Sequence, residues 1–256
     1  MNLEWKSRYE VMVEAARAAG QVALGYFDKN IAVEQKPDES PVTIADREAE
    51  QTLRERLIAA YPNDSFLGEE FGETRGSSGY RWIIDPIDGT RCFVRNIPHW
   101  STLVGLEYQG EMIAGVSYAP ADGQMFRALR GDGTYKNDRR VQVSDVATLD
   151  QALACYTGYQ YFRQAGKERQ FMNTLRGVGA TRGFGDYYGF VLVAQGSCEL
   201  LVDYGVHIWD IAGLKVIVEE AGGRFTDWDG GTDLHRPDCL ASNGRVHDVA
   251  LAFLRS

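Results

Sequence analysis

Asp85 and Asp88 stand three residues apart, and Gly89 and Thr90 follow at once. Two aspartates at that spacing offer oxygen ligands to a hard cation. A small residue and a hydroxyl placed to open a helix offer unpaired backbone N–H groups, which bind anions and phosphate above all. Pro86 lies between the carboxylates, fixes φ and removes an N–H, so the chain is expected to turn stiffly there. A solvated turn, with Asp as a cap and Gly taking an unusual φ, explains a lone Asp-x-x-Asp-Gly more simply. Other carboxylates shift the balance. Glu69-Glu70 closes the apolar stretch Ser65-Phe66-Leu67-Gly68, Asp46 follows Thr43, and Asp210 follows Trp209 at the start of an apolar helix. Gathered in one cleft, they would repel by on the order of a kcal/mol or more per close pair. They then need raised pKa values or cations between them. All-oxygen donors without His or Cys point to Mg²⁺. Two such ions about 4 Å apart would activate a water and stabilise the leaving oxygen of a phosphate ester.

The elements that must position these groups are legible in outline. Trp82-Ile83-Ile84 predicts the end of a strand buried on both faces, delivering Asp85. Residues 5–27 carry apolar side chains at helical spacing, from Met12 through Phe27. Residues 31–40 predict a loop or short hairpin. Thr43 is a candidate N-cap for a second helix with Ala49, Leu53 and Leu57 on its buried face, which puts Asp46 in the first turn. Adjacent strand residues face opposite ways, so Glu69 and Glu70 share a site only if their strand has ended. Residues 72–80 predict a surface loop, and 91–98 a short helix or turn. Strands are expected at 100–108, 112–119, 124–129 and 133–143, as an antiparallel sheet packed on helices. From residue 145 the pattern alternates: helices near 167–176, 186–196 and 210–221, strands near 198–203, 224–228 and 238–242. Asp210 is expected to be the N-cap of its helix. The fold class expected is α/β: an α+β half over 1–144 carrying the main motif, and an α/β half over 145–256 completing the site, packed tightly enough to count as one domain.

Composition sets the bounds. An apolar fraction of 44% over 256 residues supports a sizeable core. A net charge of −9 argues against nucleic-acid or membrane surfaces. It leaves room for an anionic substrate if cations invert the local field. No run reaches the roughly 18 apolar residues of a membrane span. Cys92, Cys155, Cys198 and Cys239 are far apart in sequence and read as reduced thiols of a cytoplasmic protein. The four histidines show no zinc spacing.

Gly68-Glu69-Glu70, Trp82-Ile-Ile-Asp-Pro-Ile-Asp-Gly-Thr90 and Trp209-Asp210-Ile-Ala-Gly213, in this order and spacing, resemble the inositol monophosphatase family of Mg²⁺-dependent phosphatases. Val42-Thr43-Ile44-Ala45-Asp46 fits the same pattern, and the resemblance covers nearly the whole chain. It implies a layered αβαβα sandwich, a homodimer, and two or three Mg²⁺ per site. Glu69, Asp85 and the carbonyl of Ile87 would hold one ion, and Asp85, Asp88 and Asp210 a second, with Glu70 in the outer shell. Gly89 and Thr90 would receive the phosphate. Thr90, hydrogen-bonded to Asp46, and Glu69 would activate the water. Arg91-Cys92-Phe93-Val94, Pro98-His99-Trp100 and Gly185-Asp186-Tyr187-Tyr188-Gly189-Phe190 are similar to the branch that hydrolyses histidinol phosphate. Arg91, Asp186 and Asp203 are then substrate-binding candidates, because the two carboxylates could pair with the ammonium and imidazole of that ester. Gly205-Val-His-Ile-Trp-Asp210 looks more like the inositol enzymes, so an inositol or other small polyol or sugar phosphate is the alternative. A phosphatase with an aspartyl nucleophile would carry Asp-x-Asp rather than Asp-x-x-Asp. A non-catalytic regulator would have no need of the intact carboxylate set.

Overall fold

The computed structural model describes residues 2–37 and 40–256. Along the chain run α1 (Leu3–Leu24), β1 (Val33–Gln35), β2 (Pro41–Thr43), α2 (Ile44–Ala60), β3 (Ser65–Gly68), β4 (Gly72–Thr74) and β5 (Tyr80–Asp88). Then come α3 (Thr90–Phe93), β6 (Ser101–Tyr108), β7 (Glu111–Ala119), β8 (Gln124–Leu129), β9 (Gly133–Lys136) and β10 (Arg139–Val141). The chain continues through β11 (Leu153–Tyr156), α4 (Tyr159–Gln164), α5 (Glu168–Arg176), β12 (Ala180–Arg182) and α6 (Asp186–Ala194). It closes with β13 (Leu200–Tyr204), α7 (Ile208–Glu220), β14 (Arg224–Thr226), β15 (Asp238–Ser242) and α8 (His247–Arg255).

Five layers result, an αβαβα sandwich. Helices α1 and α2 cover one face of an eight-stranded sheet ordered β10-β9-β8-β7-β6-β5-β3-β4. The core between them includes Met12, Ala16, Leu53, Trp82, Ile84 and Trp100. Strand β5 is buried on both sides, and Ile83 points the other way, into the core built around α6 and α7. A five-stranded sheet, β12-β11-β13-β15-β14, lies on the far side of those two helices. Its outer face is covered through Phe162, Phe171, Ala250 and Leu254, from α4, α5 and α8. Among the described residues no helix is long and apolar enough to cross a membrane.

Helix α7 sits on the large sheet with almost no clearance. A Cβ on Gly115 would fall 2.0 Å from the carbonyl oxygen of Gly213, and one on Gly213 would fall 2.7 Å from that of Val104. Backbone rests on backbone there, so the helix carrying Asp210 has one possible height above β5.

Several expectations need correction. The chain does not turn at Pro86: β5 runs through to Asp88, and a bulge between Asp85 and Asp88 absorbs the proline. Residues 72–74 are a strand, because β4 pairs antiparallel with β3 across the Glu69–Phe71 turn. The large sheet is not wholly antiparallel, since β3 and β5 run parallel. The first helix ends at Leu24 rather than residue 27. The short hairpin offered for 31–40 agrees with the antiparallel pairing of β1 with β2, whose second strand begins just beyond that stretch; Asp38 and Glu39 fall outside the described residues. Asp210 is not an N-cap. It is the third residue of the helical turn, and its Oδ2 accepts from the N–H of the actual N-cap, His207, at 2.7 Å. Strands β11 and β12 and helices α4 and α8 had no counterpart in the sequence reading.

Candidate active site

Strand β5 ends on the carboxylates. Asp85 and Asp88 are 2% and 7% exposed, and the bulge between them turns both toward the start of α7. Oxygens of Asp85, Asp88 and Asp210 lie within 4.8 Å of one another. Asp85 Oδ1 accepts from the N–H of Ile87 at 2.9 Å, and Asp88 Oδ2 from that of Tyr187, at the start of α6, at 2.5 Å. Strand β3 stops at Gly68, so Glu69 and Glu70 lie in a turn and both side chains reach one point. Lys36 Nζ stands there and donates to Glu69 Oε1 at 2.6 Å and Glu70 Oε1 at 2.7 Å.

Gly89 has φ +89°, and a Cβ there would meet the carbonyl of His99 at 2.8 Å. This left-handed residue swings the chain from β5 into α3. Thr90 Oγ1 then donates to Ile87 O at 2.9 Å and, over a longer 3.4 Å, to Asp46 Oδ1. Asp46 is fixed from its other oxygen, which accepts from the N–H and the hydroxyl of Thr43, both at 2.7 Å. Thr43 is the N-cap of α2, and with Asp46 it forms a capping box.

The electrostatics fit crowded, buried anions. Burial first, then Glu69, Asp88 and Asp210, push Asp85 well above the usual carboxylate range. Burial, Asp186 and Asp210 do the same to Asp88. Glu69 is pushed up to about 7 by burial, against the pull of Lys36. Burial raises Asp46 to about 6, against its bonds from Thr43. Burial pulls Lys36 down, but Glu69 and Glu70 outweigh it and hold the ammonium above its ordinary value.

A cleft of about 370 Å³ opens above this floor, lined among others by Glu69, Thr90, Arg91, Thr157, Tyr161 and Asp186. A smaller compartment of about 90 Å³ adjoins it, lined by Asp88, Asp186, Asp203 and Asp210 with Thr157 and Tyr161. Asp203, at the end of β13, is buried, takes the N–H of Tyr204 at 2.7 Å and a bond from Thr157. Burial and Asp186 hold it well above the usual range. Asp186 is raised to about 6 by burial and Asp210, against Arg91 and His99. It adopts φ +50° at the start of α6, a strained conformation of the kind found at functional sites.

All the residues singled out from the sequence therefore lie around one cleft. Among the residues that line or enter it, Lys36, Thr157 and Tyr161 were missed. Lys36 sits in a polar hairpin loop with no motif around it. Thr157 and Tyr161 follow β11, a four-residue strand too short to announce itself. The Thr-Gly pair directly after an apolar run was the available signal.

The sequence profile of the inositol monophosphatase family matches residues 4–256. Histidinol-phosphatase from Streptomyces coelicolor is 38% identical over 95% of this chain and 94% of its own. Inositol-1-monophosphatase from Rhizobium meliloti is 36% identical over 86% and 85%. Among solved structures, the extragenic suppressor protein suhB of Bartonella henselae superposes with a TM-score of 0.91 at 33% identity, covering 96% of this chain and 98% of that one. A family profile that spans the chain end to end, on a fold shared with solved relatives, makes this protein a phosphatase of the inositol monophosphatase family.

Proposed function

We propose that the chain hydrolyses a small phosphate monoester with Mg²⁺ bound among its carboxylates, and that the ester is histidinol phosphate. The observation that carries the metal reading is the meeting of Asp85, Asp88 and Asp210 within 4.8 Å. Carboxylates so close need raised pKa values or a cation between them, and a donor set of oxygens alone suits Mg²⁺ as that cation. The ammonium of Lys36 between Glu69 and Glu70 supports the same reading, since a positive charge already finds a place there. Asp85, Asp88, Asp210, Glu69 and the Ile87 carbonyl would hold the metal, with Glu70 at one remove. When bound, Mg²⁺ supplies a water of lowered pKa and positive charge for the leaving oxygen.

The chain's own groups do the rest. The N–H groups at Gly89 and Thr90 face the phosphate, Arg91 adds charge at the cleft wall, and Thr90, anchored on Ile87 and Asp46, orients the attacking water. Glu69 stands on the same side to take its proton. The water oxygen bonds to phosphorus as the ester P–O bond breaks, and the leaving oxygen takes a proton from water in the cleft and departs as the alcohol.

The choice of substrate rests on the small anionic compartment. Burial raises both Asp186 and Asp203, which lie beyond the metal ligands, with Asp210 adding to the rise of Asp186 and Asp186 to that of Asp203. A leaving group carrying an ammonium would favour their charged forms, and histidinol phosphate carries an ammonium and an imidazole. The histidinol-phosphatases among the relatives support this. Inositol phosphate is the second reading, favoured by the inositol-1-monophosphatase relatives; there Asp203 would accept from sugar hydroxyls. A cytoplasmic homodimer, with neither nucleic acid nor membrane as partner, is the setting we infer. The test is phosphate release from histidinol phosphate, inositol phosphates, sugar phosphates and nucleotides, each with Mg²⁺ and with excess chelator. Release from histidinol phosphate that needs Mg²⁺ and exceeds the rest is expected. Preference for inositol phosphate transfers the assignment to the second reading, and full turnover in chelator ends the metal reading.

A further inference from the structure

Helix α2 carries a charged stripe on a face that is otherwise apolar. Asp46, Glu50 and Arg54 follow at intervals of four, which stacks them along one side of the helix. All three are buried, Glu50 completely, among Ala45, Ala49, Leu53 and Leu57. Asp46 reaches Thr90. Glu50 and Arg54 touch nothing in the cleft, yet a buried ion pair is costly and an apolar pair would often be no less stable. What they do touch is the turn that carries Glu69 and Glu70.

Glu50 Oε2 accepts from the N–H of Glu70 at 2.7 Å, and Oε1 from that of Phe71 at 3.1 Å. Arg54 Nε donates to the same Oε1 at 2.9 Å. The guanidinium goes on to the carbonyl of Gly72 at 2.5 Å and the hydroxyl of Thr74 at 3.4 Å. From the other side, the N–H of Glu69 is tied to Ile84 O on β5 at 3.2 Å. Space has been cleared for the carboxylate: a Cβ on Gly68 would lie 2.0 Å from Glu50 Oε1 and 3.0 Å from Arg54 Nη2. The two N–H groups that the end of β3 leaves without a strand partner are thus both taken by one side chain, itself clamped by a cation.

We infer that Glu50 is a positioning residue for the metal-binding carboxylates: clamped by Arg54, it fixes the Glu69–Phe71 turn so that the Glu69 and Glu70 side chains enter the cleft together. Helix α2 then acts as a rigid spacer, setting Thr90 through Asp46 and the glutamate pair through Glu50. The inference rests on the reading that Glu69 helps to hold Mg²⁺.

The test uses the full chain and its Glu50→Gln and Glu50→Ala variants. Mg²⁺ binding is measured by titration calorimetry without substrate, beside thermal unfolding and the Mg²⁺ dependence of turnover. Groups that orient metal ligands typically account for 10–100-fold in metal affinity. Glu50→Gln keeps the shape and one acceptor and should bind Mg²⁺ about tenfold more weakly, with Glu50→Ala nearer a hundredfold. Turnover should recover as Mg²⁺ is raised, which a merely structural role would not produce. Folded variants that bind Mg²⁺ as tightly as the unaltered chain, even with lowered melting temperatures, overturn the inference alone. An unaltered chain that binds no Mg²⁺ overturns the metal reading and this inference with it. If Glu50→Ala does not fold, the isosteric Glu50→Gln decides.

Discussion

Replacing Asp88 by Asn should damage catalysis and stabilise the metal-free protein at once. Asp88 shares a cluster with the buried Asp85 and the half-buried Asp210, their oxygens within 4.8 Å. At an effective dielectric constant near 20, two full charges at that separation repel by about 3 kcal/mol. The carboxylates relieve part of this by holding protons, as the raised values of Asp85 and Asp88 indicate. The net gain from removing one charge is then on the order of 1–3 kcal/mol. The substitution leaves local structure in place, because the Asn oxygen can still accept from the N–H of Tyr187. At roughly 2–4 °C per kcal/mol for a domain of this size, unfolding in excess chelator at pH 8 should shift upward by about 2–12 °C. Mg²⁺ should reverse the order, because it stabilises each protein according to its affinity and the variant has lost a ligand. Turnover at saturating Mg²⁺ should fall at least about a hundredfold. Calorimetric unfolding of both proteins, with chelator and with Mg²⁺, reads all of this except turnover. A variant that melts at or below the unaltered chain in chelator would refute the reasoning, since repulsion among these carboxylates would then not be the strain that a metal relieves.

Ca²⁺ should inhibit the Mg²⁺-supported reaction, because it prefers longer bonds and more ligands; competition assays in which Ca²⁺ sustains turnover would contradict this. Asp203→Asn should lower kcat/KM for histidinol phosphate by roughly ten- to a hundredfold and change any inositol phosphate hydrolysis much less. An unchanged ratio of the two efficiencies would remove Asp203 as a reader of substrate charge. Far from the cleft, His247 is fully buried, with Nε2 2.9 Å from Thr226 Oγ1 and Nδ1 2.8 Å from Ser242 Oγ. Burial, aided by Arg224, lowers its pKa to about 4. The unfolded chain therefore takes up a proton near pH 6.5 that the native chain refuses, so this contribution is present above about 6.5 and lost as pH falls toward 4. It amounts to on the order of 3 kcal/mol. His247→Gln should flatten that part of the acid stability curve, and a curve parallel to the unaltered protein's would show that the imidazole stays neutral for no energetic reason.

The parts that were legible in the sequence share a local cause. Trp82-Ile83-Ile84 announces a strand by its own composition, and Thr43 announces a cap because Asp46 completes the box three residues on. The condition placed on Glu69 and Glu70, that their strand must have ended, is met because Gly68 ends it. What stayed hidden depends on partners distant in sequence. The pairing of β4 with β3 makes a strand of Gly72–Thr74, and the pull of β6 on both sides of Pro86 makes a bulge where the proline alone predicts a turn. Asp210 carries the signature of a cap, and only the placement of His207 shows that it serves from inside the helix. Cys155 on β11 and Cys198 just before β13, 43 positions apart, lie in hydrogen-bonding contact. Lys36 reaches Glu69 and Glu70 only through the β1–β2 hairpin, and nothing in its neighbours foretells that.

The contact of Gly213 with Gly115 and Val104 bears on how this protein can change over time. A helix resting directly on the backbone of a sheet has no slack to trade, so a methyl group at Gly115 or Gly213 would lift α7 and carry Asp210 away from β5. These glycines touch no substrate, yet their tolerance to substitution should be as low as that of the carboxylates themselves. The wall formed by Thr157, Tyr161 and Asp186 is free of that constraint. New substrate preferences are therefore open to this scaffold through its wall, while its floor, and the two glycines beneath it, must descend unaltered.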